Sequence, residues 1–383
     1  MSSGDESILN AEIFLVAGEP SGDKIGAGLA AALRRGNGKI RLVGLGGPKM
    51  KAAGVDLIQD MMPFAVIGFV EVLKHYGQFR KIFQKTILEI KERRPRVIIF
   101  IDFPGFNLRL AKALGGLNIP MIYYVSPQFW AWGERRIWII KKCIRRVLTI
   151  LPFEVDFYKR HGIQADYVGH PMADDFLRLS QDSPIQMPQG SDDPVISILP
   201  GSRLEEVNRH APVLLESARM LRRRYPKIGF LIPCATDEIY EKIERWVHED
   251  LFIKPVRGQM HRCLLGSSFA WVSSGTATLE TAFWGVPLLV VYRTSPLTGW
   301  LAKRLIRVPF VGLVNLVAGE EVAPELIQKN FRTDLIVEKT REILENRSRM
   351  KMIQEKLAGL RLRLGEPGAG DRAAQKVMET LSS

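Results

Sequence analysis

Ser273 to Gly285 reads Ser-Ser-Gly-Thr-Ala-Thr-Leu-Glu-Thr-Ala-Phe-Trp-Gly between two short apolar runs, Phe269 to Val272 and Pro287 to Val291. The pattern predicts strand, tight turn, helix, strand. Gly275 has no side chain to block close approach, and a helix beginning near Thr276 aims unpaired backbone N–H groups at whatever lies over the strand end. Such an end favours an anion: the helix dipole contributes about 0.3–2 kcal/mol per charge there, and a diphosphate carries more than one. Ser274, Gly275 and Thr276 are therefore candidates to cradle a nucleotide diphosphate, with Glu280 one turn on and in reach of a sugar hydroxyl pair. An ordinary αβ turn with a solvated glutamate is the plainer alternative. A second turn, Pro200-Gly201-Ser202-Arg203, follows the run Val195 to Leu199 and opens a helix from Glu205 to Arg224. Gly201, Ser202 and the Arg203 guanidinium could hold the same diphosphate from its other side; the alternative is a surface arginine paired with Glu206.

The run Val97 to Ile101 ends in Asp102-Phe103-Pro104-Gly105-Phe106-Asn107. A carboxylate at the carboxyl end of a buried parallel strand points to where ligands bind in open α/β sheets, and Asp102 suits a general base. A cap on the following helix is the other use of that position. Ile13 to Ala17 ends in Gly18-Glu19-Pro20-Ser21-Gly22-Asp23, which lacks the spacing and the Lys-Ser/Thr pair of a Walker loop. Glu19, Ser21, Gly22 and Asp23 read instead as a substrate-side loop. Trp130 and Trp132 sit in an unusually aromatic stretch, Tyr123 to Trp132, suited to sugar or acyl chain or else to closing the sheet edge. His170, between Gly169 and Pro171, is a second acid or base candidate and equally a turn residue bonded to backbone.

These residues need a scaffold that gathers strand ends. Continuous apolar runs recur at Ile40 to Leu45, Met121 to Val125, Val147 to Leu151, Ile228 to Ile232 and Ile253 to Val256, with helical patterns between several of them. That alternation predicts doubly wound α/β domains with parallel sheets. At 383 residues two domains are expected, and Ser180 to Pro194, rich in Pro, Gly, Ser and Asp, reads as the linker. The expected division is 1–185, 186–345 and a helical tail, 346–383, packing back on the first domain.

Three widely spaced cysteines suit reduced thiols in a cytosol; with no Asp-x-Asp and no His-x-x-x-His pair, neither a metal nor a cofactor is expected. The first ten residues offer no export signal, and no apolar run approaches a membrane span. A net charge of +13 implies an anionic partner. The lysines and arginines are scattered rather than striped, which argues against nucleic acid. Two stretches suit an anionic membrane surface: Pro63 to Leu73, with Phe64, Val66, Ile67, Phe69, Val70 and Leu73 ahead of Arg80, Lys81 and Lys85, and Trp300-Leu301 ahead of Lys303, Arg304 and Arg307. Amphipathic helices packed on their own sheets are the alternative.

Eight motifs in order resemble the lipid-A-disaccharide synthase family of glycosyltransferases over nearly the whole chain. They are Ala17 to Asp23, Ile67 to Leu73, Ile101 to Asn107, Ser126 to Trp132, Val168 to Pro171, Leu199 to Arg203, Ser274 to Glu280, and Asn315 to Gly319 with Pro324 to Gln328. The resemblance implies the GT-B architecture, two Rossmann-like halves facing across a cleft. It also implies UDP-2,3-diacylglucosamine as donor, 2,3-diacylglucosamine 1-phosphate as acceptor, and inversion to a β-1,6-linked disaccharide 1-phosphate plus UDP. Asp102 then matches the family's base, Arg203 an arginine needed for activity, Glu280 the ribose contact, and Asn315, Glu325 and Gln328 a segment near the donor. Gln128 and Ile67 depart from residues common in the family, Ser and Met. The place implied is cytoplasmic, peripheral to the inner membrane; monomer and homodimer suit the chain equally. A UDP-N-acetylglucosamine 2-epimerase would share the nucleotide cradle without needing apolar acceptor loops, and a basic nucleic-acid-binding protein would share the charge.

Overall fold

The computed structural model describes residues 11–65, 76–131, 133–187, 194–295 and 308–382. Contacts divide the chain into two units, Met1–Asp174 with Glu366–Ser383, and Asp175–Gly365.

In the first unit each strand is followed by a helix. β1 (Glu12–Ala17) leads to α1 (Pro20–Gly36), β2 (Arg41–Gly46) to α2 (Pro48–Ala52), and β3 (Asp56–Asp60) to α3 (Met62–Ala65) and α4 (Tyr76–Arg93). β4 (Val97–Ile101) leads to α5 (Pro104–Leu114), β5 (Met121–Tyr124) to α6 (Ile137–Cys143), β6 (Arg146–Thr149) to α7 (Pro152–Arg160), and β7 (Ala165–Tyr167) to α8 (Met172–Leu179). The seven strands pair in parallel in the order β3-β2-β1-β4-β5-β6-β7. Their order reverses between β1 and β4, so the loops after these two strands border the crevice where such sheets bind ligands. β4 is Val-Ile-Ile-Phe-Ile, buried at every position because helices cover both faces.

The second unit repeats the plan. β8 (Val195–Leu199), α9 (Leu204–Arg224), β9 (Gly229–Cys234), α10 (Asp237–Val247), β10 (Ile253–Arg257), α11 (Met260–Leu265), β11 (Phe269–Ser273), α12 (Thr276–Phe283), β12 (Leu288–Tyr292), α13 (Leu313–Ala318) and β13 (Glu325–Ile327) precede α14 (Thr333–Leu344) and α15 (Arg347–Arg363). The parallel order is β10-β9-β8-β11-β12-β13, with its switch point between β8 and β11. Trp271 in β11 is fully buried, and its indole N–H donates to Thr340 Oγ1 at 2.8 Å, joining α14 to the sheet. α16 (Ala369–Ser382) returns to the first unit, where Ala373, Ala374, Val377 and Leu381 share a core with Leu29 and Leu33 of α1.

The unit borders fall at 174/175 and 365/366, against the 185/186 and 345/346 expected from the sequence. Two contacts explain this. Phe176 packs on Phe283 and Trp284 ahead of the Pro- and Gly-rich stretch, and inside that stretch the Ile185 N–H donates to Arg262 O at 3.0 Å, so the chain has joined the second core before residue 186. α15 packs against α12 and α14, which carries the second unit on to Gly365.

Candidate functional site

In the second unit a cavity of about 580 Å³ opens where the loops after β8, β9, β10 and β11 meet. Gly201, Ser202, Arg203, Ser274, Gly275, Thr276 and Glu280 all line it. Gly275 caps α12 at φ 145°, a conformation reserved for glycine, and the N–H groups of Gly275, Thr276 and Ala277 have no acceptor among the described residues. Gly201 is at φ 131°, and a Cβ there would stand 2.6 Å from the Glu206 side chain, so the turn after β8 also requires glycine. Arg203 is 82% exposed with its guanidinium 3.8 Å from Glu206. Both readings of this arginine therefore coexist: it lines the cavity and pairs loosely with Glu206.

The donor-segment residues behave differently. Asn315, Glu325 and Gln328 are not among the residues that line this cavity. Asn315 is fully buried; its Oδ1 accepts from Val322 N and Ala323 N at 2.8 and 2.9 Å, and its Nδ2 donates to Ala323 O and Glu325 Oε1. Glu325 accepts the N–H groups of Val311 and Gly312, both at 2.9 Å, capping the approach to α13. The carbonyl of Val311 in turn accepts the Ser274 hydroxyl at 2.9 Å. These residues brace the cradle from behind, where carboxylate and amide saturate backbone groups. Gln328, at φ 54°, accepts Thr294 N at 3.3 Å through Oε1.

His210 was not singled out in the sequence, though it braces the same cavity. It is fully buried on α9, with its ring nitrogens 2.8 Å from Pro200 O and 3.0 Å from Arg293 O, tying the end of β8 to the end of β12. Gln259 and Tyr292 also line the cavity unannounced. The ends of β10 and β12 were the signal, since neighbouring strands of a parallel sheet end at one edge.

The second constellation belongs to the first unit. Asp102 follows β4 at φ 50°, and Phe103 after it is also at φ 50°. Two consecutive left-handed non-glycine residues store strain of about 1–3 kcal/mol each, held only where the surroundings over-determine them. Here they do. The Asp102 N–H donates to Tyr124 O at 3.1 Å, while its carbonyl accepts both Asn107 Nδ2 at 2.7 Å and the Tyr123 hydroxyl at 2.8 Å. Burial, then the nearby charge of Glu19, push the Asp102 carboxyl up to about 6, against the Phe103 N–H and the Ser21 hydroxyl, which favour its ionised form. The β1 loop and the end of β4 thus come together as the switch point predicts.

Other candidates turn out to be structural. Asp23 is buried, and its carboxylate accepts Gly47 N, Lys49 N and Met50 N at 2.8–3.0 Å, closing the N-terminus of α2. Ser21, Gly22 and Asp23 belong to the first turn of α1, which Pro20 starts, rather than to an open loop. Asp23→Ala should cost about 2–3 kcal/mol of stability, read as a lower urea midpoint; an unchanged midpoint would show the cap to be idle. Trp130 packs edge-on against Phe153 and donates to the buried carboxylate of Glu154 at 3.0 Å, closing the sheet edge. His170 is buried and its Nδ1 accepts Met172 N at 3.2 Å, the turn role. Phe64 packs edge-on against Phe79 at the margin of the core. Val66, Ile67, Phe69, Val70, Leu73, Trp132 and the stretch from Trp300 to Arg307 lie outside the described residues. No helix among those described is long and apolar enough to cross a membrane.

The family model described as lipid-A-disaccharide synthetase matches residues 13–378. A lipid-A-disaccharide synthase of Trichlorobacter lovleyi is 38% identical over 369 residues, 96% of each chain. One from Myxococcus xanthus is 39% identical over 373 residues, 96% of this chain and 97% of the relative. One from Coxiella burnetii is 35% identical over 376 residues, 98% of this chain and all of the relative. Among solved structures, UDP-GlcNAc 2-epimerase from Neisseria meningitidis bound to UDP-GlcNAc aligns with TM-score 0.66 at 13% identity, over 96% of this chain and 99% of that one. The glycotransferase of kitacinnamycin aligns with TM-score 0.66 at 15% identity, over 97% and 99%. These two likenesses concern the fold, two parallel-sheet α/β domains as in GT-B glycosyltransferases and epimerases.

Proposed function

Since the chain belongs to the lipid-A-disaccharide synthase family, glycosyltransferases of lipid A synthesis, we propose that it joins UDP-2,3-diacylglucosamine to 2,3-diacylglucosamine 1-phosphate. The products are the β-1,6-linked disaccharide 1-phosphate and UDP, with inversion at the anomeric carbon. The observation that carries this reading is the cavity at the β8/β11 switch point, which offers an anion the unpartnered N–H groups of Gly275, Thr276 and Ala277 and the Arg203 guanidinium. The diphosphate of the donor lies there, and Glu280 takes the ribose hydroxyls. As the bond to the anomeric carbon breaks, charge builds on the diphosphate, and these fixed donors stabilise it. Asp102 accepts the proton of the acceptor hydroxyl as that oxygen forms the new bond. The lipid substrates place the enzyme at an anionic membrane surface, its cytoplasmic inner-membrane face.

UDP release with and without the acyl-sugar phosphate, with products weighed by mass spectrometry, tests the reaction. Acceptor-dependent UDP and a disaccharide monophosphate are expected. UDP-N-acetylglucosamine epimerised instead, with no disaccharide, would replace this reading with an epimerase. Because main-chain N–H groups and a guanidinium neutralise the leaving group, turnover should persist in excess EDTA; a collapse restored by Mg²⁺ would refute metal independence.

A further inference from the structure

α4, α5 and α6 lie side by side on one face of the first sheet, burying Ile82, Ile90, Leu108, Ala111, Leu114 and Ile140 in a common core. Their outer sides therefore form one continuous layer. On it Lys81, Lys85, Arg109, Lys112, Lys141 and Lys142 are exposed, and none has an ion pair with a described residue. α5 and α6 contain no Asp or Glu, and α4 has none before Glu89. Several cations elsewhere are neutralised by carboxylates: Arg219 pairs with Asp250, Lys339 and Arg349 with Glu342, and Lys356 with Glu320. The layer also carries two apolar residues out of the core, Trp138 at 47% exposure and Leu88 at 58%. The Lys112 ammonium lies 5.4 Å from the centre of the Trp138 ring.

We propose that the outer face of α4–α5–α6 is the surface on which this protein rests on an anionic lipid bilayer. An indole set among ammonium groups suits the headgroup level of a membrane, where its ring meets acyl boundary and the cations meet lipid phosphates. Lysine stems lie along apolar surface while their heads reach the phosphates. The cations are spread over a layer of helices rather than lined along a groove, and Leu88 has nothing to offer a phosphodiester chain. This assignment rests on the membrane localisation proposed above and adds the surface that accomplishes it.

Flotation of the full chain with phosphatidylethanolamine–phosphatidylglycerol vesicles, against neutral phosphatidylcholine vesicles, tests it. Each lysine near an anionic surface is worth roughly fivefold in partitioning, so Lys112→Gln with Lys141→Gln and Lys142→Gln should weaken binding by about 10²-fold. Trp138→Ala should weaken it independently, and Lys351→Gln on α15 should leave it within twofold (roughly). Unchanged thermal melting of each variant shows that the loss is not unfolding. Retained binding by the triple variant while the wild type binds would overturn the surface and spare the localisation. A wild type that ignores anionic vesicles would overturn both. Equal binding to neutral vesicles, or tighter binding to duplex oligonucleotide with the same variant dependence, would also overturn the proposal.

Discussion

Asp102→Ala is expected to lower turnover by at least about 10²-fold while leaving the melting temperature near that of the wild type. The carboxyl is raised to about 6 by burial and by Glu19, nearer to neutrality than a solvated aspartate, and a base becomes stronger as its pKa rises toward the working pH. The sign for pH follows. Catalysis needs the carboxylate, so turnover should fall on the acid side of about 6, by roughly tenfold per pH unit. Glu19→Gln removes a negative charge that disfavours ionisation, so the acid limb should move to lower pH. Turnover of Asp102→Ala close to the wild type, or an acid limb that stays in place without Asp102, would remove the aspartate from the chemistry.

Arg203→Ala carries the second large effect. Loss of one fixed donor to a developing anion in an active site costs about 10²–10³ in turnover, and the same order is expected here. Lysine should rescue only in part, because it supplies a point charge without the two-pronged fork. Stability should hardly change: the guanidinium is 82% exposed and its 3.8 Å pair with Glu206 is a surface pair. Turnover within threefold (roughly) of the wild type would sink the assignment, since no fixed transition-state donor is that dispensable.

The interior strands were legible because burial on both faces writes a continuous apolar run. β4 and β8 have the bounds that Val97 to Ile101 and Val195 to Leu199 suggest. β3, β7 and β13 left no such mark. They are edge strands of three to five residues, Asp-Leu-Ile-Gln-Asp, Ala-Asp-Tyr and Glu-Leu-Ile, with one side open to solvent and therefore polar. The cradle glycines and Asp102 were legible because their place at strand ends follows from topology. Asp23, Asn315 and Glu325 looked like ligand contacts for an instructive reason. A carboxylate or amide that saturates backbone N–H groups in a loop has the same residue type and the same address as one that binds substrate, and only the partners tell them apart. His210 offered no signal at all, because a buried histidine satisfied by main-chain groups of two strand ends differs from an exposed one only in its surroundings.

The chain leaves the first unit at Asp174 and re-enters it at Glu366, so the segment that covers α1 is synthesised after the whole second unit. While residues 175–365 are being made, Leu29, Leu33 and their neighbours lack the partners that Ala373, Ala374, Val377 and Leu381 provide, and Arg146 lacks Glu379. The unit begun first is thus completed second. Its nascent form carries an exposed apolar strip for the time needed to translate about two hundred codons, on the order of ten seconds or more at cellular elongation rates. Chaperone demand on the ribosome should therefore track the arrival of α16 rather than the emergence of the seventh strand.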